Sequence, residues 1–208
     1  MGKDWKTILK NVKRGFRKTP EWFDFYDLTK IEGNFIDAGY FKGAFSKEFV
    51  KRNKGEAFGF EVNPRTVMSE SHGGRILLTP LGTSNKIETK ELFAERKESP
   101  ITTADNHFKQ TAEAKYKIKM KSIGFATFIP IDLLKHMYGK VGLIKIDTEG
   151  MEYETLLGAK EVIEENKPII IFETHDLNEL KKCSDFLETF GYKIKQVSPV
   201  DYEAKVIK

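Results

Sequence analysis

Residues 35–45, FIDAGYFKGAF, read as the end of a buried strand that passes through a glycine turn into a helix. In open parallel sheets ligands bind beyond the carboxyl ends of the strands, and the first strand-to-helix turn stands at that place. A dinucleotide fingerprint, G-x-G-x-x-G, needs its second glycine so that backbone can approach a pyrophosphate. Here the turn reads Gly39-Tyr40-Phe41-Lys42-Gly43, with a phenylalanine where that glycine would stand and no GK[ST] ending of a Walker loop. The turn therefore disfavours phosphate.

Asp37, two residues before the first glycine, suits a cationic ligand instead. S-Adenosyl-L-methionine carries an ammonium and a sulfonium and no phosphate. Asp37 is expected to balance its amino group, directly or through water, while Gly39 lets the amino-acid portion lie against backbone. Glu61 closes the second strand, where a carboxylate can accept hydrogen bonds from both ribose hydroxyls.

Working outward, short apolar runs of strand type recur at NFIDAG (34–39), EAFGFE (56–61), GRILLTP (74–80), VGLIKID (141–147) and PIIIFE (168–173). Between them AFSKEFVKRN and GMEYETLLGAKEVIEEN space apolar residues at three and four, as helices on a sheet do. The pattern predicts an α/β fold with a mainly parallel sheet. The tail GYKIKQVSPVDYEAKVIK offers two more strands and an antiparallel edge. With 208 residues and no linker-like tract, one domain is expected over 1–208.

Two segments stand apart. Residues 1–30 form an N-terminal extension with a helical basic face (Lys6, Lys10, Lys13, Arg14, Arg17) and an apolar one (Trp5, Ile8, Leu9, Val12, Phe16), which is expected to dock on protein more often than on a membrane. Residues 94–124 are a polar insertion longer than a usual connector, expected to cap an acceptor site. Within it Lys117, Lys119 and Lys121 alternate with Ile118 and Met120, the pattern of an edge strand with its lysines in water.

The block VGLIKIDTEGMEYETLLGA (141–159), followed by KPIIIFETH (167–175), resembles the signature of FkbM-type methyltransferases, whose specific core is D-x-E-G-x-E. The resemblance implies a Rossmann-like class I methyltransferase fold with a seven-stranded sheet, S-adenosylmethionine as cofactor, and O-methylation, often of sugars or secondary metabolites. Carried over by position, Asp37, Gly39, Tyr40, Phe41 and Gly43 fall on the cofactor loop. Glu61 and Val62 fall on the ribose motif, and Leu81 and Gly82 on the loop near the adenine. The family's loop usually reads D-x-G-A-N-x-G, and this chain carries Tyr40 and Phe41 in place of the Ala-Asn pair.

Methyl transfer to a hydroxyl needs in-line positioning and a place for the proton. Asp147 ends the fourth strand of the pattern, Glu149 follows, and Glu173 and His175 end the next, so Asp147, Glu149 and His175 are the candidate catalytic residues. With Glu173 they also make an oxygen-rich Mg²⁺ or Mn²⁺ set conceivable, although a metal is not favoured. For Glu152 and Glu154 the helix dipole alone accounts for acids in a first turn. The expected acceptor is a sugar or glycan hydroxyl, with Phe108, Tyr116, Trp22 and Phe23 to cover its apolar faces.

A net charge of +4 is too weakly basic to imply nucleic acid. A nucleic-acid methyltransferase would further need [ND]-P-P-[YF] where the chain reads IDTEG, or a nucleophilic cysteine where Cys183 is unsuitably placed. The other alternative is a non-catalytic binding subunit of the same fold. A lone cysteine, no transmembrane run and no signal-like start lead to an expected cytoplasmic location.

Overall fold

The computed structural model describes residues 27–69, 74–95 and 102–206. The basic and apolar faces read into the N-terminal extension, and Trp22 and Phe23 with them, lie outside those residues. Within them the chain begins with a single 3-10 turn, Leu28–Lys30.

The strands are β1 (Asn34–Ala38), β2 (Ala57–Phe60), β3 (Ile76–Thr79), β4 (Gly82–Thr83), β5 (Glu88–Ala94), β6 (Thr102–Thr103), β7 (Lys121–Ile129), β8 (Val141–Ile146), β9 (Ile169–Glu173), β10 (Tyr192–Gln196) and β11 (Asp201–Val206). The helices are α1 (Ala44–Arg52), α2 (Pro64–Ser69), α3 (Asn106–Tyr116), α4 (Lys135–Tyr138), α5 (Glu152–Leu157), α6 (Lys160–Asn166) and α7 (Leu177–Glu188). The main sheet is mixed, in the order β10-β11-β9-β8-β1-β2-β3. Its strands run parallel from β9 to β3, and β11 is antiparallel to both β9 and β10. The predicted α/β architecture with an antiparallel edge is thus present, with the last strand inserted next to β9.

Central parallel strands are covered on both faces and so read as continuous apolar runs. Alternate residues serve the two faces. Ile36, Phe58, Ile144 and Phe172 join one buried cluster with Leu156, Ile163, Cys183 and Leu187 from α5, α6 and α7. Phe35, Ala57, Leu143 and Ile171 join the other, with Leu28, Ile31 and Phe49. The stretch GMEYETLLGAKEVIEEN divides into α5 and α6 at Gly158, where a β carbon would stand 2.0 Å from the Ser84 carbonyl oxygen.

The sequence patterns did not disclose the second sheet, β4-β7-β5-β6, in which β5 and β7 pair antiparallel over most of their length. Its strands mix charged and apolar residues, because only one face, carrying Leu92 and Phe128, packs inward on Met151. The predicted edge strand at residues 117–121 is also corrected. Lys117 takes the left-handed conformation that ends α3, and β7 starts only at Lys121. The alternation read there reflects Met120 turning inward, its amide donating to Glu113, while the lysines stay in water. Among the described residues no helix is long and apolar enough to cross a membrane.

The ends of β1 and β8 approach closely: the Asp147 amide donates to the Ala38 carbonyl at 2.9 Å, and a β carbon on Gly39 would lie 1.7 Å from the Asp147 carbonyl oxygen. Gly39 also has φ of +86°. Gly39→Ala should therefore lower unfolding stability by about 2–4 kcal/mol, combining backbone strain with overpacking. Urea denaturation measures this, and a midpoint equal to that of the unsubstituted protein would contradict it.

Candidate functional site

Two cavities adjoin at the carboxyl ends of the parallel strands. The smaller, about 160 Å³, is walled by Gly39 and Phe41 after β1, by Phe60, Glu61, Val62 and Asn63 at the end of β2, and by Gly82, Thr83, Thr102 and Phe128 from the second sheet. The larger, about 480 Å³, lies between the ends of β8 and β9 and the helices α3 and α7. Asp147 and Glu149 belong to both walls.

The floor is organised by a cation. Lys145, 4% exposed in the apolar run of β8, places its Nζ 2.9 Å from Asp147 Oδ2 and 4.0 Å from Asp37 Oδ1, with the Phe45 ring 4.7 Å away. Burial works against its charge, but Asp147 and then Asp37 outweigh this and hold its pKa above the usual lysine value. Asp37 is fully buried and accepts from the Ser46 hydroxyl at 2.7 Å, while its Oδ1 has no hydrogen-bond partner among the described residues. Burial raises Asp37 to about 6, because a cation at 4.0 Å only partly compensates the lost hydration.

The loop after β8 is held by Glu152, the acid that helix electrostatics alone could have explained. It is 3% exposed and accepts from the Thr148 amide and hydroxyl and from the Gly150 amide. Burial raises it to about 7 against those donors. Gly150, at φ +101°, leaves room for the insertion: a β carbon there would lie 2.7 Å from Phe108 Cβ. The Thr103 hydroxyl donates to the Glu149 carbonyl at 2.7 Å, and the Asp105 side chain caps α3 by accepting from the Phe108 amide. The described part of the insertion thus roofs the larger cavity with Phe108, Ala112 and Tyr116, spaced four apart on one face of α3.

The titrating groups of the larger cavity are displaced by burial. Glu173 is raised to about 8 by burial, then by Asp147 and Asp201, and Glu149 is raised well above the carboxylate range by burial, Asp147 and Glu173. His175 Nε2 lies 3.1 Å from Glu173 Oε1, and burial followed by Lys115 lowers the histidine below its ordinary value. At pH 7 the pair is therefore mainly neutral.

Of the residues anticipated for the cofactor, Gly39, Phe41, Glu61, Val62 and Gly82 wall the smaller cavity. Four do not reach either wall. Asp37 lies beneath the floor, engaged by Ser46 and Lys145. Tyr40 is 2% exposed, its ring filling the space left by Gly43 and Gly59, which accounts for both glycines. Leu81 packs on the main core. Asp147, Glu149 and His175 do converge on the larger cavity. Among the described residues, however, no group of three or more His, Cys, Asp or Glu side chains is arranged to hold a metal ion, so the four-residue ligand set is not formed. Lys145 escaped the sequence reading, although a lysine inside VGLIKID could have signalled a buried counter-charge.

Comparison with known proteins bears on this arrangement. The family described as Methyltransferase FkbM domain matches residues 37–194. Among solved structures, a methyltransferase FkbM from Methylobacillus flagellatus KT superposes with a TM-score of 0.51 at 15% identity, over 83% of this chain and 43% of that one. This chain thus spans less than half the length of that protein. A precorrin 8W decarboxylase from Methanobacterium thermoautotrophicum (TM-score 0.47, 13% identity, 86% of each chain) and a precorrin-6y C5,15-methyltransferase from Geobacter metallireducens GS-15 (0.45, 12%, 87% of this chain and 84% of that one) also align. No curated protein sequence matches. With its family match running from the end of β1 to the start of β10, the chain belongs to the FkbM methyltransferase domain family.

Proposed function

We propose that this chain transfers a methyl group from S-adenosylmethionine to a hydroxyl of a sugar or another polyhydroxylated small molecule. The observation that carries the reading is the shared wall: Asp147 and Glu149 face the smaller cavity on one side and the larger on the other, as a donor and an acceptor meeting in line would require. The order of the main sheet, with an antiparallel strand inserted before the edge, suits a class I methyltransferase fold.

The residues present fit the cofactor. Glu61 Oε2 accepts from the Phe41 amide and Oε1 from the Asn63 amide, both at 2.7 Å. These bonds fix the carboxylate in one orientation and use one acceptor position on each oxygen, leaving others for a pair of ribose hydroxyls. When bound, the cofactor supplies an electrophilic methyl on a sulfonium. The chain's own part is to exclude water with α3, to align the acceptor hydroxyl against Asp147 and Glu149, and to take up its proton. His175, neutral at pH 7, is the proton acceptor in this scheme. A sugar suits a cavity with carboxyl groups on its floor and Phe108 and Tyr116 above, since carboxylates accept from paired hydroxyls and aromatic rings cover apolar sugar faces.

Calorimetry with S-adenosylhomocysteine tests the cofactor reading. The unsubstituted protein should bind it, and Glu61→Ala should weaken binding by about 1–3 kcal/mol, the cost of losing a buried polar partner; no binding by the unsubstituted protein would end the proposal. His175→Ala should reduce turnover on a glycan acceptor by about 10²- to 10⁴-fold with S-adenosylhomocysteine affinity unchanged. Turnover equal to that of the unsubstituted protein would remove His175 from the chemistry.

A further expectation concerns stability. Glu173 titrates near 4.5 in an unfolded chain and near 8 in the fold, so the folded state binds the extra proton across that interval. Its contribution to stability is greatest at low pH and is lost as pH rises from about 4.5 to about 8. Glu173→Gln cannot ionise, so its stability relative to the unsubstituted protein should improve steadily from pH 5.5 to pH 8 in urea titrations. Parallel pH–stability curves would contradict this account.

A further inference from the structure

Four non-glycine residues among those described hold a left-handed backbone: Phe41 (φ 47°), Lys117 (56°), Glu149 (53°) and Lys167 (49°). Lys117 and Lys167 end α3 and α6, where that conformation is a common helix stop. Phe41 and Glu149 end no helix. Both stand in loops after strands of the main sheet, and both wall the smaller cavity. A bulky residue with positive φ is an outlier, and such strain persists where a function is served by the side chain it aims.

We infer that Phe41 and Glu149 act together as a charge-selective clamp, the aromatic face and the carboxylate flanking the sulfonium so that the charged methyl donor binds more tightly than the neutral thioether it becomes. The inference rests on the cofactor reading above. The Phe41 amide donates to Glu61 Oε2 at 2.7 Å, which puts this residue beside the carboxylate proposed to hold the ribose, and the sulfur is attached to that ribose. Glu149 stands on the wall shared with the larger cavity, through which the methyl must leave. Its carboxyl group makes no hydrogen bond or ion pair among the described residues; only its backbone carbonyl is engaged, by Thr103. A ring face attracts a cation within about 6 Å, and the Lys42 ammonium already lies 5.4 Å from the Phe41 centroid.

The consequence is directional. In transfer the S–CH₃ bond breaks with its electron pair remaining on sulfur, a C–O bond forms to the acceptor oxygen, and the hydroxyl proton goes to the base. Sulfur ends neutral, so both attractions weaken at once and product release is favoured. Burial, then the neighbouring Asp147 and Glu173, raise the Glu149 carboxyl well above its ordinary pKa, and a cation beside it works in the opposite direction, toward the ionised form.

The test uses the full chain, calorimetry and two non-reacting ligands: S-adenosylhomocysteine, which is neutral at sulfur, and sinefungin, which carries an ammonium in place of the sulfonium. The unsubstituted protein should bind sinefungin the more tightly. That preference should fall about three- to tenfold in Phe41→Leu, which keeps an apolar side chain without a ring, and in Glu149→Gln, and should survive in Phe41→Tyr. Glu149→Gln and the unsubstituted protein carry the test if Phe41→Leu does not fold. An unchanged preference in the variants, or tighter binding of S-adenosylhomocysteine by the unsubstituted protein, overturns the inference. Failure of both ligands to bind removes the cofactor reading itself.

Discussion

The Lys145 ammonium, enclosed between Asp37 and Asp147, is the constraint around which the rest of the site is arranged. An ion in a protein interior loses its hydration, and the loss is tolerable only when partners replace it. Lys145 has that replacement from two carboxylates on adjacent strands and from the Phe45 ring. The pairing joins the ends of β1 and β8, where Gly39 lets the two backbones come together. It also orients Asp147 by one oxygen at the point where the two cavities meet.

Around that centre the carboxyl groups divide by environment. Glu61 and Glu152 receive backbone amides and act as fixtures, one holding the turn after β1 to the end of β2, the other closing the loop after β8. Among the described residues Glu149 and Glu173 receive no such donors, and burial, then the charge of Asp147, drives both toward the neutral form. Burial raises all four, and at Glu61 and Glu152 backbone N–H donors oppose the rise.

The roof follows from the floor. Glu149 and Gly150 both have positive φ, which turns the loop after β8 so that its carbonyl meets Thr103 and its glycine lies under Phe108. The insertion is anchored there and, through the second sheet, at Met151, so the wall facing a proposed acceptor is fastened to the same loop that faces the proposed cofactor. A change of acceptor size would be felt at the shared wall rather than at the distant edge of the sheet.

Sequence alone determined the parallel strands β1, β2, β8 and β9, because strands buried on both faces must be apolar throughout, and the half-buried edge strand β3 through its apolar run; it determined, too, the ends at which Glu61, Asp147, Glu149 and His175 stand. It also carried the family, through D-x-E-G-x-E. Tertiary structure alone decided which acids reach a cavity. Asp37 and Tyr40 belong to the same short turn as Gly39 and Phe41, yet they point into the core, where Ser46, Lys145 and the gaps above Gly43 and Gly59 receive them. The second sheet was equally hidden, since β5 and β7 are half-polar segments whose partners are distant in sequence and whose inward face exists only once Met151 is placed beneath it. Periodicity records how much of a segment is buried; which neighbour buries it depends on contacts that no local pattern encodes.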